Sequence, residues 1–139
     1  MPAAPVSDVA APEPQLYEYA VVRVVPRVER EEFVNVGVLL LCRPAGFLGL
    51  RFQLNDARLR AFAGPALDLI DLHARLTAIE RICAGRARGG PIGQLGLAER
   101  FRWLTSARST VVQMSAVHPG LCATGPAATL ERLFAELVN

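Results

Sequence analysis

The sequence predicts one α+β domain, in which an antiparallel sheet of about four strands is covered by helices. Extended, β-branched segments fill the first part of the chain and helical periodicities fill most of the rest, an order typical of this class. A length of 139 residues with 52% hydrophobic residues suffices for one core. The predicted order of elements is β-β-β-α-α-α-β-α over residues 16–139.

Three strands are predicted in the N-terminal part. Leu16–Val25 is rich in aromatic and β-branched residues and ends at Pro26. A charged connection leads to Phe33–Cys42, which is apolar on both faces toward its end, as in a covered central strand. A Pro-Ala-Gly turn then leads to Phe47–Leu54, which alternates apolar and polar residues, so the two strands form a hairpin.

The hairpin pattern also predicts the centre of the core. Val38 and Leu40 lie on the two-sided apolar strand, and Leu50 lies on the apolar face of the alternating one. We expect all three side chains to be nearly fully buried.

Helices dominate the middle of the chain. A short helix over Ala57–Ala63 is capped by Asn55 or Asp56, and the longest helix covers Ala66–Ala84 and ends at Gly85. The long helix has one apolar stripe, formed by Leu69, Leu72, Leu76, Ile79 and Cys83. A glycine-rich connector over 86–96, predicted to be flexible, precedes a helix over 97–105.

The C-terminal part supplies the last strand and helix. Ser109–Ser115 is predicted as the fourth strand and His118–Gly125 as a loop. Pro126 opens the last helix, at a position where proline is tolerated. Its buried face is predicted to contain Leu130, Leu133, Phe134 and Leu137.

The composition excludes several classes of protein. Residues 1–15 form an Ala- and Pro-rich segment that we expect to be a flexible leader, with no basic and apolar signal-peptide pattern. No apolar run approaches the roughly 20 residues needed to cross a bilayer, so we expect a cytoplasmic protein with no membrane partner.

All 15 basic residues are arginine, and the net charge of +2 does not by itself imply a polyanion partner.

The cysteines give no indication of a metal site or cofactor. Cys42, Cys83 and Cys122 are about 40 residues apart, without the close pairing that a zinc site needs. Cys42 and Cys83 are expected to be small core residues, whereas Cys122 could be an exposed thiol in the predicted loop. No cofactor is predicted.

The first group of candidate site residues lies at the start of the second strand. Asn35 and Gly37 interrupt an apolar strand that favours neither residue, and Glu32 precedes them. Such exceptions are often functional. The alternative is structural: Asn35 satisfies a neighbouring backbone group, and Gly37 makes room for a helix.

A second group follows the connector. Arg100, Arg102 and Trp103 precede a segment containing Arg108, with candidate ligand hydroxyls at Ser109 and Thr110. Arginine forks and hydroxyls are suited to an anion, and arginine beside an aromatic ring suits a stacked base. The alternative is a core Trp103 with solvated arginines.

The third candidate is His118, beside a Pro-Gly pair where a sheet end can present it. The alternative is a solvated loop histidine. We expect folding to bring His118 together with Asn35, Arg102 and Arg108 in one surface region. This convergence requires the 118–120 turn to fold back over the sheet.

Three segments resemble the bacterial domain-of-unknown-function family 3037: YEYAVVRVVPRVEREEFVNVGVLLLC (17–42), ERFRWLTSARSTVVQ (99–113), and HPGL with the following ATLERLF helix (118–134). The resemblance implies a small single-domain cytoplasmic protein and suggests a HipA-like kinase as a partner, but it implies no established activity. Met114 stands where family members often have proline. HPGLC replaces the frequent HTGLT and so removes a hydroxyl next to His118.

Three classes of function remain open. The first is a non-enzymatic binding or accessory module for an anionic ligand or a protein partner. The second is an enzyme acting on a phosphate ester or nucleotide, with His118 as the acid or base and arginines as an electrostatic clamp. The third is a sequence-independent nucleic-acid binder, which the small net charge disfavours unless the arginines cluster on one face.

Overall fold

The computed structural model describes residues 13–106 and 110–138. This part of the chain forms an antiparallel sheet of five strands with helices on both faces, which confirms the α+β class but adds a strand. The strands are β1 (Gln15–Val24), β2 (Val34–Cys42), β3 (Phe47–Phe52), β4 (Val112–Met114) and β5 (His118–Cys122). The helices are α1 (Asp56–Ala63), α2 (Leu69–Ala84), the single turn α3 (Gly90–Gly93), α4 (Leu97–Thr105) and α5 (Pro126–Leu137).

The strand order is β3-β2-β1-β4, with β5 also paired to β1. β4 and β5 run along the same side of β1, where β4 pairs with Val22–Val24 and β5 with Gln15–Tyr19. Helices α1, α2 and α4 pack on one face of the sheet, and α5 packs on the other. β2 is buried between these two layers, and Val38 and Leu40 are fully buried as predicted.

A bulge in β2 decides which face its first residues take. Val22 pairs with Gly37 and Arg23 pairs with Asn35, so Val36 has no partner position on β1. A one-residue bulge shifts the alternation of side chains. Asn35 therefore lies on the α5 face, while Val34 and Val36 pack into the core under α1, α2 and α4.

The predicted hairpin of β2 and β3 is present. Its turn closes with a hydrogen bond from the Gly46 N–H to the Arg43 carbonyl, and Gly46 has a positive φ of 62°. Gly37 makes room for β3 rather than for a helix, because a Cβ there would lie 2.8 Å from the Arg51 carbonyl oxygen. Leu50 is only half-buried, contrary to the prediction, because β3 lies at the edge of the sheet.

The helices start and end close to the predicted positions. The Asn55 side chain caps α1 by accepting from the Arg58 N–H at 3.0 Å. α2 begins at Leu69 rather than at Ala66, because Asp68 caps it by accepting from the Asp71 N–H at 3.0 Å. The predicted connector contains the turn Arg86–Gly89 and α3, so it is not an irregular loop.

The C-terminal prediction was partly wrong. The segment predicted as a loop from His118 contains β5, and the predicted fourth strand is reduced to Val112–Met114 among the described residues. β5 holds Pro119 and Gly120, which are poor strand formers, and its strand conformation depends on pairing with β1. The Tyr17 ring packs directly over Gly120, where a Cβ would collide with it.

Two other expectations change. Cys122 is buried, like Cys42 and Cys83, because it faces α5 from β5, so it is not an exposed thiol. Of the predicted leader, residues 1–12 lie outside the described residues, and Gln15 already belongs to β1.

Candidate functional site

A cleft of about 240 Å³ lies between α2, α4 and β4. We call it the α2–α4 cleft. Its floor and walls are mainly apolar, and they comprise Ala78, Ile79, Ile82, Trp103, Leu104, Val112 and Met114. Its polar lining residues are Arg75, Ser106, Thr110 and Gln113.

The periodicity of the flanking elements explains the apolar floor. The buried residues of α2 are Leu72, Leu76 and Cys83, whereas Ile79 of the predicted stripe and the neighbouring Ile82 stay partly exposed beside them. Leu104 is the buried end of α4. Val112 and Met114 pair with Val24 and Val22 of β1, so they take the same face of the sheet.

Arg75 supplies a cation at the rim of the cleft. Arg75 forms an ion pair with Asp71, one turn earlier on α2, at 2.7 Å, and both side chains are about half exposed. Exposed pairs of this kind contribute only about 0–1 kcal/mol. A ligand carboxylate, sulfonate or phosphate can therefore replace Asp71 at little cost.

The other polar groups of the cleft hold its walls. The Ser106 hydroxyl donates to the Arg102 carbonyl at 2.8 Å, and the Gln113 amide donates to the Thr110 carbonyl at 2.9 Å. The Thr110 hydroxyl donates to the Val112 carbonyl. Because these three side chains already donate to backbone carbonyls, their side-chain oxygen atoms are available to a ligand chiefly as hydrogen-bond acceptors.

Trp103 lies at the mouth of the cleft with 37% of its surface exposed. It is the only tryptophan in the chain. Phe101, on the same helix, is buried, so the alternative of a core Trp103 is not what the structure shows: Trp103 lines the cleft instead.

The second predicted group of site residues is only partly placed at this cleft. Thr110 lines it, and Arg102 is exposed on α4 beside Trp103. Arg108 and Ser109 lie outside the described residues.

Asn35 takes a structural position on the other face of the sheet. Its Nδ2 donates to the Leu137 carbonyl at 3.2 Å, which satisfies one of the last carbonyls of α5. Arg58 donates to the next carbonyl, that of Val138, at 3.3 Å. The predicted structural role for Asn35, bonding to a backbone group, is therefore present, although its Oδ1 is buried without a hydrogen-bond partner among the described residues.

His118 does not join Arg102 or Asn35. It pairs with Tyr19 on β5, and its ring lies 5.4 Å from the Tyr19 ring on the α5 face, opposite the helix layer that carries Arg102. Asn35 pairs with Arg23, four residues farther along β1 and on its other side. His118 and Asn35 are thus separated by about 13 Å along β1 and by about 10 Å in the direction across the strands. The turn does not fold back over the sheet, and the single-site arrangement is not formed.

Glu32 is exposed, and its carboxylate pairs with Arg30 at 2.7 Å. The hydrogen bond and charge of Arg30 lower the pKa of Glu32. Glu32 lies next to β2 and does not line the α2–α4 cleft.

Sequence reasoning missed most of the lining of the cleft. Arg75 gave no signal, since an arginine on an exposed helix face is common. The available signal was the width of the apolar face of α2: Ala78 and Ile82 widen it beyond the predicted stripe, which already contains Ile79.

Arg100 was part of the second group, but the structure gives it a packing role. Its guanidinium donates to the carbonyls of Ile82 and Cys83 at 2.8 Å each and to that of Leu95 at 2.9 Å. It lies against Gly85, whose φ of 78° ends α2. Arg100 therefore caps the C-terminus of α2 through its Nε and Nη1 groups.

The described residues contain no group of three or more His, Cys, Asp and Glu side chains that could hold a metal ion. Within residues 13–106 and 110–138, no helix has the length and hydropathy to cross a membrane.

Comparison with known proteins identifies a family. The family model described as "Protein of unknown function (DUF3037)" matches residues 19–138, nearly the whole chain. No curated protein and no solved structure matches the chain.

Proposed function

The chain belongs to the DUF3037 family of proteins of unknown function, and we propose that it is a non-enzymatic binding module. The α2–α4 cleft takes the aromatic or aliphatic group of an anionic ligand. The charged group of that ligand stays at the rim, beside Arg75.

One observation carries the proposal: the cleft combines a mainly apolar lining with a partly exposed Trp103 and, among the described residues that line it, one cation, Arg75. Ligand sites are typically concave and mostly apolar, with a few polar groups that fix orientation. A volume of about 240 Å³ is enough to enclose one ring or a branched alkyl group rather than a whole cofactor.

The composition of the lining favours binding over catalysis. None of the described residues that line the cleft is Asp, Glu, His or Cys. General acid–base catalysis requires such a group within hydrogen-bonding reach of the substrate, and His118 lies on the opposite face of the sheet.

The placement of several arginines counts against nucleic acid. Arg23 lies over the Phe33 ring and Arg51 over the Phe134 ring, at 3.9 and 4.2 Å from the ring centroids. Arg100 is occupied by backbone carbonyls. These cations serve packing and do not form one basic face.

A protein partner that presents an apolar side chain beside an acidic one fits the same chemistry. The resemblance to the family suggests a HipA-like kinase as such a partner. The cleft is small enough that one or two side chains would fill it.

Trp103 permits a direct test with two probes. 8-Anilinonaphthalene-1-sulfonate is aromatic and anionic, and N-phenyl-1-naphthylamine is its neutral counterpart. We expect both probes to quench Trp103 emission by energy transfer. The sulfonate should bind about two- to fivefold more tightly, and Arg75→Met should remove that difference.

A matched pair of variants checks the location. Ala78→Leu fills the cleft and should abolish quenching, whereas Ala74→Leu, on the same helix but not among the lining residues, should leave it unchanged. Equal quenching in both variants, or no quenching of the unmodified protein, would refute the proposal.

A further inference from the structure

An exposed apolar strip lies at the free edge of the sheet, away from the α2–α4 cleft. Leu16 of β1 and Leu121 of β5 are directly paired across the strands, and 55% and 68% of their surfaces are exposed. Pro119, two residues before Leu121, shares its face and is also exposed. We call Leu16, Glu18, Pro119 and Leu121 the edge strip.

Glu18 lies at the centre of the edge strip. It pairs with Pro119 on one side and with the buried Leu41 on the other, and it is itself half-buried. Among the described residues, its carboxylate forms no ion pair and no side-chain hydrogen bond. A lone carboxylate surrounded by apolar side chains is unusual for a surface that faces only solvent.

The backbone of β5 limits how this edge can be used. Proline has no N–H to donate, yet β5 stays paired with β1 on both sides of Pro119. The backbone nitrogen and carbonyl of Pro119 therefore point away from β1, toward the outer edge of the sheet. The outer edge therefore lacks one of the donors that a continuous added strand would need. A partner would pack on the side chains rather than extend the sheet.

We propose that the edge strip binds a protein segment that presents an arginine or lysine between apolar side chains. Covering Glu18 with apolar groups alone would leave a desolvated, unpaired charge, whereas a cation from the partner satisfies it. The apolar side chains of that segment pack on Leu16, Pro119 and Leu121. Anionic surfaces such as nucleic acid or acidic lipid are disfavoured by the same carboxylate.

This surface goes beyond the proposed ligand cleft and can fail independently of it. The test uses the ¹⁵N-labelled protein and two peptide probes, acetyl-Leu-Arg-Leu-Leu-amide and the same peptide with glutamine in place of arginine. We expect the arginine peptide to shift the amide signals of residues 16–20, 118 and 120–122. The glutamine peptide should bind about tenfold more weakly.

Variants assign the effect to the strip. Glu18→Gln should make the two peptides bind equally, while Glu80→Gln, an exposed glutamate on α2, should not. Leu121→Asn should weaken both peptides, whereas Ile70→Asn, at the 85% exposed residue of α2, should weaken neither.

Three results would overturn the proposal: equal binding of the two peptides to the unmodified protein, an unchanged preference in Glu18→Gln, or shifts confined to other residues. A dependence of the same amide signals on protein concentration, without peptide, would show that a second copy of the chain occupies the strip instead.

Discussion

Arg100 gives the sharpest stability prediction, because one guanidinium serves three backbone carbonyls. Its bonds to Ile82 and Cys83 satisfy the last turn of α2, and its bond to Leu95 ties that turn to the segment before α4. In Arg100→Met the aliphatic stem is retained and all three bonds are lost. The substitution therefore isolates the contribution of these hydrogen bonds to stability.

The expected loss can be estimated from these contacts. A hydrogen bond to a charged group contributes about 1.5–3 kcal/mol when it is sheltered from solvent. Arg100 is partly exposed, so water replaces part of what is lost. We expect the free energy of unfolding to fall by about 2–4 kcal/mol, below the sum of three sheltered bonds.

Urea denaturation followed by circular dichroism measures this loss, and the m-value should stay unchanged because the core is intact. The matched control is Arg102→Met, which removes an exposed arginine of the same helix and should cost less than about 0.5 kcal/mol. If the two variants differ by less than about 0.5 kcal/mol, Arg100 does not hold the end of α2, and the reasoning is refuted.

Three further predictions concern the core. Leu40→Ala should lower the free energy of unfolding by about 2–5 kcal/mol and Leu50→Ala by about 1–2 kcal/mol, because only Leu40 is fully buried. Equal losses in urea denaturation would contradict this ranking. Gly37→Ala should cost about 1–3 kcal/mol, because its Cβ would lie 2.8 Å from the Arg51 carbonyl oxygen, and an unchanged melting temperature would contradict the close approach. Burial raises the pKa of the Cys83 thiol from 9.0 to about 12, so the folded chain keeps a proton that the unfolded chain loses. The free energy of unfolding should therefore fall as the pH rises from 9 to 12, and this part of the slope should vanish in Cys83→Ala; identical slopes would count against it.

The elements governed by local rules were predicted well. The hairpin of β2 and β3 follows from its alternation and its Pro-Ala-Gly turn, and α1 follows from the cap at Asn55. The buried face of α5 follows from a 3.6-residue period. In each of these cases the signal lies within about fifteen consecutive residues.

The errors arise where distant residues decide the structure. β5 contains Pro119 and Gly120, and only its pairing with β1 makes it a strand. The bulge at Val36 turns Asn35 toward α5, and no local pattern specifies a one-residue bulge.

The predicted convergence of His118 with Asn35 and Arg102 was wrong for the same reason. Polar residues that interrupt local patterns were expected to meet, but the sheet separates His118 from Arg102, and Asn35 bonds to the end of α5. The α2–α4 cleft is instead lined by residues of α2, α4 and β4 that lie far apart in the sequence. Within its own element, none of these residues departs from the local pattern.

Intermolecular nuclear Overhauser effects from bound 8-anilinonaphthalene-1-sulfonate test the central claim most directly, because they report which side chains touch the probe. We expect contacts from the aromatic protons of the probe to the methyl groups of Ile79, Ile82 and Met114, which line the α2–α4 cleft. Contacts to the methyl groups of Leu16 and Leu121 alone, on the edge strip, would contradict it.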